Sequence, residues 1–421
     1  MWAMLRSNRD LRWLFIAQVI SYCGDWFAYV AFVGLIQEHS DSKVLVSLVL
    51  VSTTLPSFLM SPLAGSVADR FDRRKILIVT SCAQAAAAAG LLTVSGDRLW
   101  LGYVCLLCIS ALAAFTGPAA GAAVPNLARN RDEMRLASTL FGSLWGAMVA
   151  VGAGLGGLFA ALFGRTASFV ADAISFVAAA GMVMLIRTAM QTRDATVSRP
   201  PIRPLADMGE ALTAARRDPV ILAFLSSKMV FTLGSSALVG LLAAFAHDEL
   251  QGGDGATGLL IAARGVGAAI GPVIAMRFAD GRLSRVQKVC AIGGIATGIA
   301  YGSASFAPHL AVAAVFVFGA HLFGGSQWTL STYGLQVRAP DAIRGRILAG
   351  DFALATLTIG LSGSAGGLLA DRIGIRPTFL VFGGVAITTG MAYLLATRGV
   401  RRALRVEEST ATAAMADTNA G

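Results

Sequence analysis

Residues 65–75 read Gly65-Ser66-Val67-Ala68-Asp69-Arg70-Phe71-Asp72-Arg73-Arg74-Lys75, a knot of charge set between apolar stretches at 44–68 and 76–95. Each flank reaches the length of about 20 apolar residues that a helix needs to cross a bilayer. The knot is conspicuous because the 421-residue chain is 56% apolar and only 14% charged, against about 25% charged in ordinary soluble domains. Mean hydropathy is +0.68. A soluble chain this apolar would need a core larger than its length normally forms. The 47 glycines suit closely packed membrane helices.

Working outward from the knot, apolar windows recur at 11–36, 44–68, 76–95, 99–124, 137–163 and 167–187. They continue at 220–246, 256–278, 286–306, 309–336, 347–370 and 376–397. The expected fold is all-α and integral to the membrane, with about twelve transmembrane helices. The first window has spanning length and reads as a span, not a cleavable signal. This composition excludes a disordered protein, a secreted disulfide scaffold and a cytosolic enzyme. The net charge of +10 does not indicate nucleic-acid binding, because the basic residues sit in short breaks between apolar stretches. The five cysteines (Cys23, Cys82, Cys105, Cys108, Cys290) lie within apolar stretches and make no zinc or disulfide pattern.

Lys and Arg locate the cytoplasm. Of the 34, 27 fall in the N-terminus, the polar stretch 188–218, the C-terminal tail and the loops on their side, against five in the opposite loops. Both termini and the stretch 188–218 are therefore expected to be cytoplasmic. The expected organisation is an N-terminal six-helix half (1–187), a cytoplasmic linker (188–218) with Arg199-Pro200-Pro201 and a helical-looking Gly209–Arg217, a C-terminal six-helix half (219–397) and a disordered tail (398–421). The halves repeat at an offset of 210: Gly156-Gly157-Leu158, Gly164 and Phe169 correspond to Gly366-Gly367-Leu368, Gly374 and Phe379. Parallel repeats of this kind place a substrate site between the halves and work by rocking.

The knot, with Gly65 four residues before Asp69-Arg70 and a basic cluster after it, resembles the signature loop of the major facilitator superfamily. The resemblance covers all twelve windows. Asp72 stands where that family usually has Gly. Gly24-Asp25, Asp172-Ala173-Ile174-Ser175-Phe176, Arg216-Arg217-Asp218-Pro219 and Arg344-Gly345-Arg346 resemble the branch holding macrolide-efflux proteins and the enterobactin exporter. What this implies is a secondary active transporter of the bacterial inner membrane, exporting a drug, a macrolide-like or a siderophore-like compound. The loop also has a direct physical reading. The Asp69 carboxylate can sit at a helix N-terminus, where free N–H groups favour negative charge. Arg70, Arg73 and Arg74 can pair with acids or lipid phosphates, so Gly65, Asp69, Arg70, Arg73 and Arg74 form a candidate gating loop. Simple topology marking is the alternative.

Ionisable residues within spans cost at least about 2.5–3.5 kcal/mol at a helix centre and are candidate functional groups. Asp25, with Gln18 two turns earlier, suits a group that binds a proton or faces a cationic substrate; a structural hydrogen bond is the alternative. Lys228 and Arg264 can pair with Asp25 or Asp172 or bind an anionic substrate group, and Lys228 can instead snorkel to the interface. Asp172 and Asp351 lie nearer span ends, where helix-terminal pairing is expected, and Asp351 is grouped with Arg344 and Arg346 as a cytoplasmic gate. His321 either titrates near neutral pH or is a satisfied core residue.

No phosphate loop, zinc-protease, nucleophile-elbow or cysteine–histidine metal pattern occurs, so no enzymatic activity, cofactor or metal is expected. The expected function is export of a small amphipathic compound by alternating access with proton antiport. A proton-coupled nutrient importer and a lipid-handling facilitator are the alternatives. Expected partners are the small-molecule substrate, protons and the bilayer, with no nucleic acid, and the expected state is a monomer.

Overall fold

Inside a bilayer the backbone has no water to bond, and a helix satisfies its polar groups within one segment. The computed structural model describes residues 2–39, 43–191, 203–252 and 254–420, and no strand occurs among them. Helix α1 (Trp2–Ser7) leads into α2 (Arg9–His39), α3 (Lys43–Arg70), α4 (Arg73–Gly90), α5 (Leu99–Leu127), α6 (Arg131–Phe163) and α7 (Arg165–Met184). After α8 (Pro204–Arg217) follow α9 (Pro219–Gly240), the single turn α10 (Leu242–Ala244), α11 (Asp254–Ala279), α12 (Leu283–Ala304), α13 (Leu310–Arg338), α14 (Asp341–Ile373), α15 (Ile375–Ala396) and α16 (Arg398–Ala420). A helix thus covers each apolar window. Among the described residues, ten are long and apolar enough to cross a membrane. Of the remaining two, α12 carries Arg285, Gln287 and Lys288 in its first two turns. The fold is all-α and multi-pass.

Helix boundaries follow from particular side chains. Asp72, at φ −63°, needs no glycine freedom; its carboxylate caps α4 by accepting from Arg74 N at 3.0 Å. Asn130 Oδ1 accepts from Glu133 N at 2.8 Å while Glu133 Oε2 accepts from Arg129 N at 2.9 Å, a reciprocal cap on α6. Gly164 and Gly374, which correspond at the 210-residue offset, have φ of +85° and +88° and separate α6 from α7 and α14 from α15. A residue with a Cβ would be strained at either break.

The chain forms two compact units. The first comprises Met1–Ala137, Met148–Thr213 and Ala339–Ala353; the second comprises Ser138–Ala147, Ala214–Arg338 and Leu354–Gly421. In the first, α2 packs on α7, α3 on α5, and α4 on both α5 and α7, around Phe32, Ile36, Leu91, Phe169 and Phe176. In the second, α13 lies against α11 and α12, and α15 against α9 and α12, around Phe245, Leu260, Tyr301, Val317 and Phe379.

Arg199-Pro200-Pro201 lies outside the described residues, and Pro204–Arg217 of the linker form α8. The tail differs from the expected disorder: Arg398–Ala420 is helical. Leu404 is buried, and buried Arg401 donates to Gln287 Oε1 at 2.9 Å and Thr397 Oγ1 at 2.7 Å. A basic stretch that reads as solvated thereby gains a tertiary anchor.

Candidate functional site

Gln18, Ser21, Tyr22 and Asp25 recur at helical spacing on α2 and line a cavity in the first unit. Ser81 and Gln84 on α4 and Thr116 on α5 add polar groups, and Leu77, Ala113, Ala179 and Val183 close it. Its volume is about 40 Å³. That admits water, which needs roughly 10–15 Å³ on this measure, but not a drug-sized molecule, whose sites run to about 300–1,000 Å³. Asp25 therefore stands in a small space rich in hydroxyls and amides.

Asp172 on α7 is fully buried, and neither carboxylate oxygen has a hydrogen-bond partner. It is the eighth residue of α7 and, contrary to the expected helix-terminal pairing, engages no helix end. It packs against the residue before Asp25. A Cβ at Gly24 would stand 2.7 Å from Asp172 Oδ1 and 2.1 Å from Ser175 Oγ. Only glycine lets α2 approach the acid this closely. A buried carboxylate without a partner is costly while charged, so a proton or a cation suits this place.

The charged knot forms a second constellation of the first unit. Asp69 accepts from Gly345 N at 2.6 Å and from Arg346 N and Nε at 3.0 Å each, near the N-terminus of α14. Gly65 and Gly345 make this approach possible: a Cβ at Gly65 would be 2.9 Å from Arg346 Cα, and one at Gly345 would be 2.5 Å from Asp69 Oδ1. Arg73 is fully buried and donates to the carbonyls of Ala68, Ala122 and Met190 and to Asp341 Oδ1 at 2.9 Å. Arg344 donates to the same Asp341 oxygen at 2.6 Å. Arg70 grips Asp207 of α8 through two hydrogen bonds of 2.5 and 2.6 Å. Arg346 reaches Glu210 at 3.0 Å. Arg74 instead donates to the Met184 carbonyl.

Four arginines (70, 73, 344 and 346) thus face four acids (69, 207, 210 and 341). The Arg70 hydrogen bonds hold the Asp207 carboxyl down at about 2 despite the opposing effect of burial. Asp207, Glu210 and Asp341 escape a sequence reading; the only signal is that Asp341 opens a helix and Asp207 lies in the first turn of the linker helix. Asp351, expected with Arg344 and Arg346, is buried further along α14, and Asp341, Asp69 and Glu210 are the acids those arginines engage.

In the second unit, Lys228 is buried rather than snorkelled: Nζ donates to Thr332 Oγ1 at 2.7 Å and stands 4.6 Å from the Trp328 ring centre. His321 Nε2 meets the Tyr301 hydroxyl at 2.7 Å inside the core, the arrangement of a satisfied core histidine. Arg264 stacks over Trp145 at 5.1 Å, and its Nε has no hydrogen-bond partner. Trp145 and Tyr301 carry no sequence signal for these roles. Among the described residues, no group of His, Cys, Asp and Glu is arranged to hold a metal ion.

The sequence profile of a family described as transmembrane secretion effector matches residues 1–419. The MFS-type transporter YfiS of Bacillus subtilis is 26% identical over 93% of this chain and 94% of its own length. The multidrug efflux pump Tap of Mycobacterium tuberculosis is 27% identical over 92% and 94%. Among solved structures, the human organic anion transporter MFSD10 superposes with a TM-score of 0.77 at 13% identity, covering 92% of this chain and 99% of that one. A bacterial homologue of the iron transporter ferroportin, in an outward-facing state, gives 0.70 at 17% identity, covering 92% and 98%. At these identities the structures bear on fold alone. Fold and family are those of membrane transporters of small molecules, not of enzymes.

Proposed function

We propose that this chain, which belongs to the transmembrane secretion effector family of MFS-type transporters, exports a small amphipathic compound by alternating access coupled to proton entry. The observation that carries the proposal is Asp25, open to a water-sized polar cavity beside the buried, unpartnered Asp172. At about 40 Å³ the cavity has room for water but not for cargo. A proton taken up at Asp25 changes the charge of the α2 face, and the pathway widens when the helices rearrange. Export of macrolide-like or siderophore-like compounds is the finer reading suggested by the segments around Asp25 and Asp172.

The two-half organisation is part of the same reading: six helices in 1–187, six in 219–397, parallel repeats joined by 188–218. The matched breaks at Gly164 and Gly374 support it. With both termini in the cytoplasm, the Asp69 constellation is a cytoplasmic latch that holds α14 against α3 and breaks when that side opens. A bacterial inner membrane and a monomeric state complete the proposal.

Accumulation of amphipathic dyes, anionic and cationic, in cells overexpressing the protein tests direction and residue together. Export predicts less dye in cells with the wild type than with empty vector, and empty-vector levels with Asp25→Asn. Greater accumulation with the wild type would establish import instead.

A further inference from the structure

Arg264 is the tenth residue beyond the start of the 26-residue α11, about 15 Å along the helix at 1.5 Å per residue. That depth is out of reach of lipid head groups at the start of the helix. Among the described residues, no carboxylate lies within ion-pair distance of it. Its Nε is buried without a hydrogen-bond partner. Tyr301 and His321 lie within electrostatic reach, but they are engaged with each other at 2.7 Å and bring no negative charge. An uncompensated cation within a membrane helix is costly and marks a functional position.

The surroundings of Arg264 are built. Ser138 Oγ donates to Gln336 Oε1 at 2.7 Å, tying this stretch of α6 to α13. A Cβ at Gly142 would stand 2.2 Å from Thr329 Cγ2, and one at Gly146 would stand 2.5 Å from Ala269 N. These two glycines, one turn apart, press α6 onto α11 and α13 and set Trp145 over the guanidinium. Trp145 remains 49% exposed. A guanidinium held 5.1 Å from an indole centre with its Nε unpartnered has a donor to offer a carboxylate or sulfonate through a charge-assisted hydrogen bond. The open part of the indole offers a flat apolar surface to the rest of such a molecule.

We infer that Arg264 and Trp145 form a binding subsite for the anionic head of an amphipathic aromatic ligand, a carboxylate or sulfonate whose ring lies on Trp145. This rests on the reading of the chain as a carrier of small amphipathic molecules and narrows its cargo to compounds bearing an acidic group.

The test is equilibrium binding to the purified full-length protein in phosphatidylcholine nanodiscs, corrected for empty discs, with no gradient present. The probes are 2-naphthoate, naphthalene-2-sulfonate and neutral 2-naphthamide. The wild type is expected to bind both anions at least about tenfold more tightly than the amide, the factor expected of one charge-assisted pair. Arg264→Met loses that preference, Arg264→Lys keeps part of it, and Trp145→Leu weakens all three probes while keeping the preference. Equal binding of anion and amide by the wild type, or no saturable anion binding, overturns the inference, as does an undiminished preference in Arg264→Met. Should Arg264→Met fail to fold, the wild-type comparison and Trp145→Leu still decide. Failure here leaves proton-coupled export untouched, since that reading is judged by flux and this one by binding.

Discussion

Asp341 holds the charged knot together, and its removal has a calculable cost. One oxygen, Oδ1, takes hydrogen bonds from Arg73 at 2.9 Å, Arg344 at 2.6 Å and Asn126 at 3.2 Å. Arg73 is fully buried, so losing the Asp341 carboxylate leaves its charge facing four carbonyls, that of residue 341 among them, and Asp69, whose carboxylate is 3.9 Å away. Breaking a buried pair by removing one partner costs about 3–5 kcal/mol. The surviving carbonyls and Asp69 put Asp341→Ala at the low end, about 3 kcal/mol. For a unit of about 200 residues unfolding cooperatively, roughly 2–4 °C is lost per kcal/mol, so the melting temperature should fall by about 6–12 °C. Thermal unfolding of the purified protein, followed by intrinsic fluorescence, measures this. The double variant Arg73→Met/Asp341→Leu should recover part of the loss, because apolar groups replace the buried Arg73–Asp341 pair at little cost while Arg344 still loses its carboxylate partner. A melting temperature for Asp341→Ala within about 2 °C of wild type, well below the fall worked above, refutes the reasoning.

Gly24→Ala drives a methyl group into Ser175 Oγ at 2.1 Å and should cost about 1–3 kcal/mol in thermal stability, with dye export falling in parallel. Gly345→Ala pushes on Asp69 Oδ1 at 2.5 Å; hydrogen exchange at the start of α14 should rise, while exchange in α12 should not. The Asp207 carboxyl is held at about 2, below its ordinary 3.8, so its contribution is complete above the unfolded value and is lost as pH falls through the folded one. Amide exchange in α8, corrected for intrinsic rates, should therefore be unchanged from pH 7 to about 5 and rise only below about 4; Arg70→Gln removes that dependence.

The fold was legible because spanning windows and basic loops are local signals, and helices fill every window. Asp69 was legible for the same reason: its glycine spacing and the basic cluster lie in one loop. Its setting was less so. Asp207 lies 137 residues from Arg70 and Asp341 lies 268 from Arg73, and no local pattern announces a partner at that distance. Lys228 reads either as a partner for an acid or anionic group or as a snorkelling residue, and only the placement of Thr332 and Trp328 of α13 beside it shows it buried. Asp172 reads as near a helix end, yet the bare backbone of Gly24 packs on it and leaves its oxygens unpartnered. The Arg264–Trp145 stack depends on Gly142 and Gly146 fitting against α13 and α11, a matter of packing. The tail misleads because its arginines look solvated until Gln287 receives one of them.

Proton exchange at Asp25 is the central claim, and its most direct measurement uses inverted membrane vesicles energised to acidify their interior, with a pH-sensitive dye inside. Amphipathic compounds are added to vesicles bearing wild type, Asp25→Asn or no transporter. Compound-triggered release of protons in the wild type, absent from both others, is the result expected if Asp25 carries the coupled proton. Release of equal size from Asp25→Asn would contradict it.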